Sequence, residues 1–148
     1  FEVGNMIFNT VEGTIAGARG TAEYDEGILV AIAGTLDANT IKSGNTTRDS
    51  HLKDKEEFFN TKATPRIDFT AKEVVFVGKS SRVTTYKLRG SLTLRGVSNE
   101  IEIEVEETSA NHLVSTFTVN RDLWGLGDGW SKTIIARDIE VRVDIHLE

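Results

Sequence analysis

Asp49, Ser50 and His51 are adjacent and carry the residue types of a serine hydrolase, with a hydroxyl to attack, an imidazole base and an orienting carboxylate. Immediate neighbours cannot line up in that order, so a triad would need partners from elsewhere in the chain. His112 and His146, the other histidines, fall in a turn and on a polar strand face. Neither forms a short-range ligand pair with His51, so no zinc or iron site is expected. Gly125-Leu126-Gly127-Asp128-Gly129 is glycine-rich but lacks the spacing and the strand-to-helix setting of a nucleotide loop, and reads as a hairpin loop. Asp25, Asp37 and Asp128 show no calcium-loop spacing. Without cysteine, disulfides and thiolate chemistry are excluded. No cofactor and no metal are expected.

Two polar groups remain: Arg48, Asp49 and His51, and further on Asn120 and Arg121. They admit a bland reading, a solvated helix face laced by exposed ion pairs. They also admit a functional one, a polar rim that orients the head of an otherwise apolar ligand. An enzyme using His51 and Asp49 as acid and base is an alternative. A protein-interaction module using the acidic strand Glu102–Glu107, or the loop that carries Trp124 and Trp130, is another.

The elements that must position these residues are strands. Phe1, Val3 and Ile7 alternate weakly, and Val11, Gly13, Ile15 and Gly17 repeat the period of two. Glycines on that face imply either tight curvature or room for a ligand. Gly20 to Asp25 forms a short strand ended by a hairpin signal at Asp25-Glu26-Gly27, and Ile28 to Leu36 the next, closing at Asp37-Ala38-Asn39. Asn45 or Thr46 can cap a helix over about Thr47 to Lys55, and within this stretch Leu52, Phe58 and Phe59 form one apolar group. Pro65 ends any helix and returns the chain to strand at Ile67 and Phe69. Val83 to Leu94, Ile101 to Val105, Leu113 to Val119 and Ile139 to Leu147 alternate apolar with polar residues.

The chain thus predicts an all-β fold, an eight-stranded antiparallel barrel with one helical insertion after the fourth strand, as a single domain over residues 1–148. Closure into a barrel removes exposed edges; a two-sheet sandwich is the other solution. A net charge of -6 argues against non-specific nucleic-acid binding, and no run of 18 apolar residues is present to span a membrane as a helix. The start at Phe1, without methionine, suggests a processed or trimmed terminus.

Thr47-Arg48-Asp49-Ser50-His51-Leu52-Lys53, then Glu57-Phe58-Phe59-Asn60 and Pro65-Arg66-Ile67-Asp68-Phe69, resemble the YceI-like, polyisoprenoid-binding family, whose pattern reads RDxHL, FF and PxIxF. Leu88 to Val97, Val11 to Ile15 and Val119-Asn120-Arg121-Asp122 match further segments in the same order. Asn5 and Ile15 depart from it, standing where histidine and phenylalanine are frequent. The resemblance implies a lipocalin-like barrel that binds a long isoprenoid or fatty amphiphile without catalysis, in a periplasmic or secreted protein. It also implies a habit of forming homodimers, against which stand the polar outer strand faces. The expected lining is Val3, Ile15, Val30, Ile32, Phe69, Leu92, Ile103, Phe117 and Val141. Leu52, Phe58 and Phe59 would close one end, with Arg48, Asp49, His51, Asn120 and Arg121 meeting the head group. The helical segment then reads as a gate to an apolar pocket.

Overall fold

The computed structural model describes residues 1–5 and 9–148, so the expectation for Ile7 lies outside the described residues. Among the described residues nine strands follow one another: β1 (Glu2–Asn5), β2 (Asn9–Glu12), β3 (Thr14–Asp25), β4 (Ile28–Lys42), β5 (Arg66–Ser80), β6 (Val83–Leu94), β7 (Val97–Ser109), β8 (His112–Asn120) and β9 (Ile135–His146). One helix, α1 (Thr46–Asp54), follows β4. The strands form one antiparallel sheet in the order β2-β1-β9-β8-β7-β6-β5-β4-β3.

The two ends of that order are consecutive in the chain, joined by Gly13 alone. Its N–H donates to the Phe1 carbonyl at 3.0 Å, its carbonyl accepts from the Phe1 amino group at 2.8 Å, and Thr14 already pairs with Lys42 of β4. The ladder therefore passes from β1 to β4 through one residue and curls the sheet into a barrel, as the strand pattern predicts. The count is nine rather than eight because Gly13 interrupts what would otherwise be one strand. A Cβ at Gly13 would lie 2.7 Å from the Lys42 carbonyl and inside the Phe1 ring, so this glycine serves close approach of strands.

Turn chemistry follows the sequence. Glu26 and Gly27 (φ 50° and 81°) join β3 to β4, and Arg95 and Gly96 (φ 54° and 72°) join β6 to β7, each a two-residue loop of the primed type that suits twisted strands. One expected break is absent: β4 runs on through Asp37-Ala38-Asn39. The Asp37 side chain accepts from the Asn39 N–H, Ala38 donates to the Pro65 carbonyl, and Ala38 and Ile41 are fully buried. Tertiary burial overrides the local turn signal.

The apolar face of the curled sheet forms two clusters. The larger joins Ala38, Ile41, Phe58, Phe59, Leu92 and Trp124, and the smaller Leu29, Tyr86, Leu88, Val105 and Leu113. Phe69 packs on both.

Among the described residues no ladder joins β3 to the 141–146 part of β9, and two further gaps lie inside the sheet. β4 pairs with β5 only from Ala33 to Asp37, leaving Ile28 to Ile32 unpaired with β5 beyond Thr70. β7 pairs with β8 only near their shared turn, from Glu106 to Ser109.

Candidate functional site

Alternation along β3 to β9 turns a row of apolar side chains inward. Ile15, Phe69, Phe117 and Val141 pack on the larger cluster, which contains Leu92, and Ile32 and Ile103 on the smaller. Val3 lies directly opposite Ile139, another residue packed on the larger cluster, and so shares the inward face. All of these except Leu92 are only half-buried. In a filled core they would be sealed from water. Their residual exposure leaves apolar surface on the inward face that the two clusters do not cover.

Val30 does not belong to that lining. It is 48% exposed, because the β3–β4 register shifts between Glu23–Ala31 and Tyr24–Leu29 and makes Val30 the extra residue of a bulge. Leu29, 1% exposed, takes the inward place. A strict period of two cannot reveal such a bulge.

The helical segment sits over the larger cluster. Asn45 caps α1 by accepting from the Arg48 N–H at 2.9 Å. Arg48 donates through Nε to the Ser43 hydroxyl at 2.8 Å and through Nη2 to the Ser43 carbonyl, while Asp49 accepts from the Ser43 N–H and hydroxyl. The pair thus clamps buried Ser43 through one edge of the guanidinium and one carboxylate oxygen. His51 is exposed on the outer side of the helix, with Leu52 turned to the core. Phe58 and Phe59 are buried in the larger cluster, and the Phe58 ring lies 5.9 Å from that of Trp130.

Arg121 overturns its expected role. It is 1% exposed and follows Asn120, whose side chain caps a short 3-10 turn over Arg121–Trp124 by accepting from the Asp122 N–H. Its guanidinium donates to five backbone carbonyls, those of Ala136, Leu126, Gly127, Trp130 and Ile135, at 2.9 to 3.1 Å. Every N–H of the fork is occupied, so none is left for a ligand.

Arg95, which sequence reasoning missed, works in the same way. It donates to the carbonyls of Phe58, Trp124, Gly125 and Glu56, tying the segment after α1 to the loop after β8. Trp124, buried, donates its indole N–H to the Leu92 carbonyl at 2.9 Å.

The smaller cluster has different closures. Tyr24 donates to Glu107 at 2.7 Å, linking β3 to β7. Burial, reinforced by Glu107, pushes the Tyr24 phenol above its ordinary range. The Tyr86 hydroxyl accepts from the Leu29 N–H at 3.2 Å, where β4 has lost β5. Beside it Phe76 stacks edge-on to Tyr86, yet is 47% exposed, with Ile28, Val75 and Val77 also uncovered. A separate open cleft of about 430 Å3 adjoins Gly13 and touches Phe1 and Val141, but its rim carries Glu2, Glu12, Lys42 and Arg142.

On the outer face the strands unite His112, Asp144 and His146, which sequence spacing had left apart. His112 and His146 are direct cross-strand partners. The hydrogen bond from His112 holds the Asp144 carboxyl below its ordinary range.

The sequence model of the YceI-like domain family matches residues 1–147. The UPF0312 protein SAB2563 of Staphylococcus aureus is 25% identical over 138 residues, covering 85% of this chain and 75% of the relative. Protein YceI of Salmonella newport is 28% identical over 108 residues; the match takes in 72% of this chain and about half, 53%, of that relative. Among solved structures, Burkholderia cenocepacia BcnA aligns with a TM-score of 0.85 at 16% identity, covering 99% of this chain and 94% of that one. A polyisoprenoid binding domain from Saccharophagus degradans aligns at 0.73 and 14% identity, covering 97% and 88%.

Proposed function

The chain belongs to the YceI-like domain family, and from that premise we propose that it binds a long-chain isoprenoid or similar fatty amphiphile inside the barrel, for storage or transport and without catalysis. The observation that carries this reading is the set of half-buried apolar residues on the inward face, among them Ile15, Ile32, Phe69, Ile103, Phe117 and Val141. Each methylene moved from water to such a lining contributes about 0.8 kcal/mol, so a chain of several isoprene units offsets the cost of ordering it. The description of the Saccharophagus degradans relative as polyisoprenoid-binding agrees with this choice of ligand.

Entry, on this proposal, is between β4 and β5. There the apolar lips Ile28, Phe76 and Val77 stand exposed beside Tyr86. The helical end is held by arginines on backbone carbonyls and stays shut. Residence in the periplasm or outside the cell is part of the same proposal.

Extraction of the purified protein into organic solvent, followed by mass spectrometry, tests it. Recovery of a stoichiometric long-chain lipid is expected. In the Ile103→Trp variant the added ring fills the interior, so less lipid should be recovered from a protein that still folds. If no lipid is recovered and added isoprenoids do not bind, the proposal fails.

A further inference from the structure

The pairing of β8 with β9 builds a second candidate site, on the outer face and separate from the interior. Leu147 donates to the Asn111 carbonyl at 2.7 Å, so the adjacent pair, His112 and His146, occupies a non-hydrogen-bonded position of the antiparallel ladder. Side chains approach most closely at such positions. The two imidazoles lie parallel, 4.3 Å between centroids and 5° between planes. Asp144 precedes His146 by two residues and therefore shares its face. Its Oδ1 lies 2.6 Å from His112 Nε2 and 3.4 Å from His146 Nε2.

We propose that His112, Asp144 and His146 bind a divalent transition cation of the zinc type. One ligand atom from each lies within 4.8 Å of the others. Two imidazole nitrogens and a carboxylate oxygen are a zinc-type donor set, and three protein ligands leave one tetrahedral position to water. Bonds of about 2.0 to 2.2 Å at tetrahedral angles separate ligand atoms by roughly 3.3 Å. The His146–Asp144 separation already suits this. The His112–Asp144 contact opens slightly as the metal replaces the proton shared there. His146 is exposed, so its ring is free to turn out of the stack and aim its lone pair at the ion.

His112 has an outer partner of the kind that orients metal ligands, since its Nδ1 lies 2.8 Å from the Thr108 hydroxyl. Arg142 contacts the other carboxylate oxygen, Oδ2, at 3.3 Å, which leaves Oδ1 available but adds a nearby positive charge that weakens binding.

The test is isothermal titration of zinc chloride into the full chain, without a histidine tag and after dialysis against a chelator. Cobalt(II) absorption serves as a second readout. One equivalent is expected to bind, with cobalt giving the intense visible bands of a low-coordinate site. His146→Ala and Asp144→Asn should each weaken binding more than tenfold while circular dichroism stays unchanged. His112→Ala is the third arm, and Thr108→Val should weaken binding about tenfold through the outer partner. Binding of equal strength in wild type and in the His146→Ala and Asp144→Asn variants, or no binding at all, overturns the proposal. Neither outcome bears on the lipid reading, because these side chains face away from the barrel interior.

Discussion

The two gaps inside the sheet, between β7 and β8 and between β4 and β5, are treated in opposite ways. Between β7 and β8 the lost ladder is replaced by specific polar bonds. Ser115 donates to the Glu104 carbonyl and Asn99 to the Leu123 carbonyl, and next to them Arg95 and Arg121 fasten the loop between β8 and β9 by its backbone oxygens. Between β4 and β5 the Tyr86 hydroxyl bridges to Leu29, and the neighbouring surface is apolar and uncovered. Buried backbone groups left unpaired are costly, so a flank meant to stay shut is satisfied bond by bond. A flank of exposed apolar side chains is instead suited to meeting an apolar ligand.

The largest expected effect lies on the sealed side. Arg121→Met leaves five carbonyls without their donor and should lower stability by at least about 3 kcal/mol, read from the urea midpoint. Arg121→Lys should recover little of this, because a single ammonium cannot reproduce the planar fork. A loss under about 1 kcal/mol would mean that the arginine does not hold the loop between β8 and β9.

The second contrast is kinetic. Phe76→Lys places a charge on the open lip and should slow uptake of an added isoprenoid several-fold, with a stability loss of about 1 kcal/mol from the edge-on contact with Tyr86. Leu123→Lys makes the same change at an exposed site on the sealed flank and should leave the rate alone. Equal slowing by both variants would remove the distinction between the openings.

The smallest effect concerns Tyr24. Its phenol is raised above its ordinary value, so the folded state favours the protonated form. That contribution is complete below about pH 10, the value in the unfolded chain, and is lost as pH rises beyond it. Wild type should therefore lose stability above pH 10 more steeply than Tyr24→Phe, by chemical denaturation at a series of pH values. Parallel curves would show that the Tyr24–Glu107 link contributes nothing.

Much of this architecture was legible in the chain, and what was not has physical causes. Alternation from Val83 onward, and the cap at Asn45 and the turn at Glu26-Gly27, are local signals that the structure keeps. Strand alternation also places Ile15, Ile103 and Val141 on the inward face. Val30 went astray because a bulge shifts parity without a mark in composition. Arg121 looked like a ligand contact because sequence cannot say that a guanidinium is surrounded by carbonyls of its own loop. Nor does the sequence show that Arg48 and Asp49 hold Ser43, a partner set by the entry of the helix. His112 and His146 meet only through cross-strand register, which links residues far apart in sequence. The helical segment, which reads in sequence as a gate, is in the fold the more firmly fastened end.

The central claim is that an apolar interior holds an extended chain, and a chain-length series tests it most directly. Delipidated protein is titrated with amphiphiles that share one head group and differ by single methylenes. Affinity should rise about fourfold for each added methylene, the equivalent of about 0.8 kcal/mol, until the interior is filled. Affinity that ignores chain length and follows the head group alone would contradict the account.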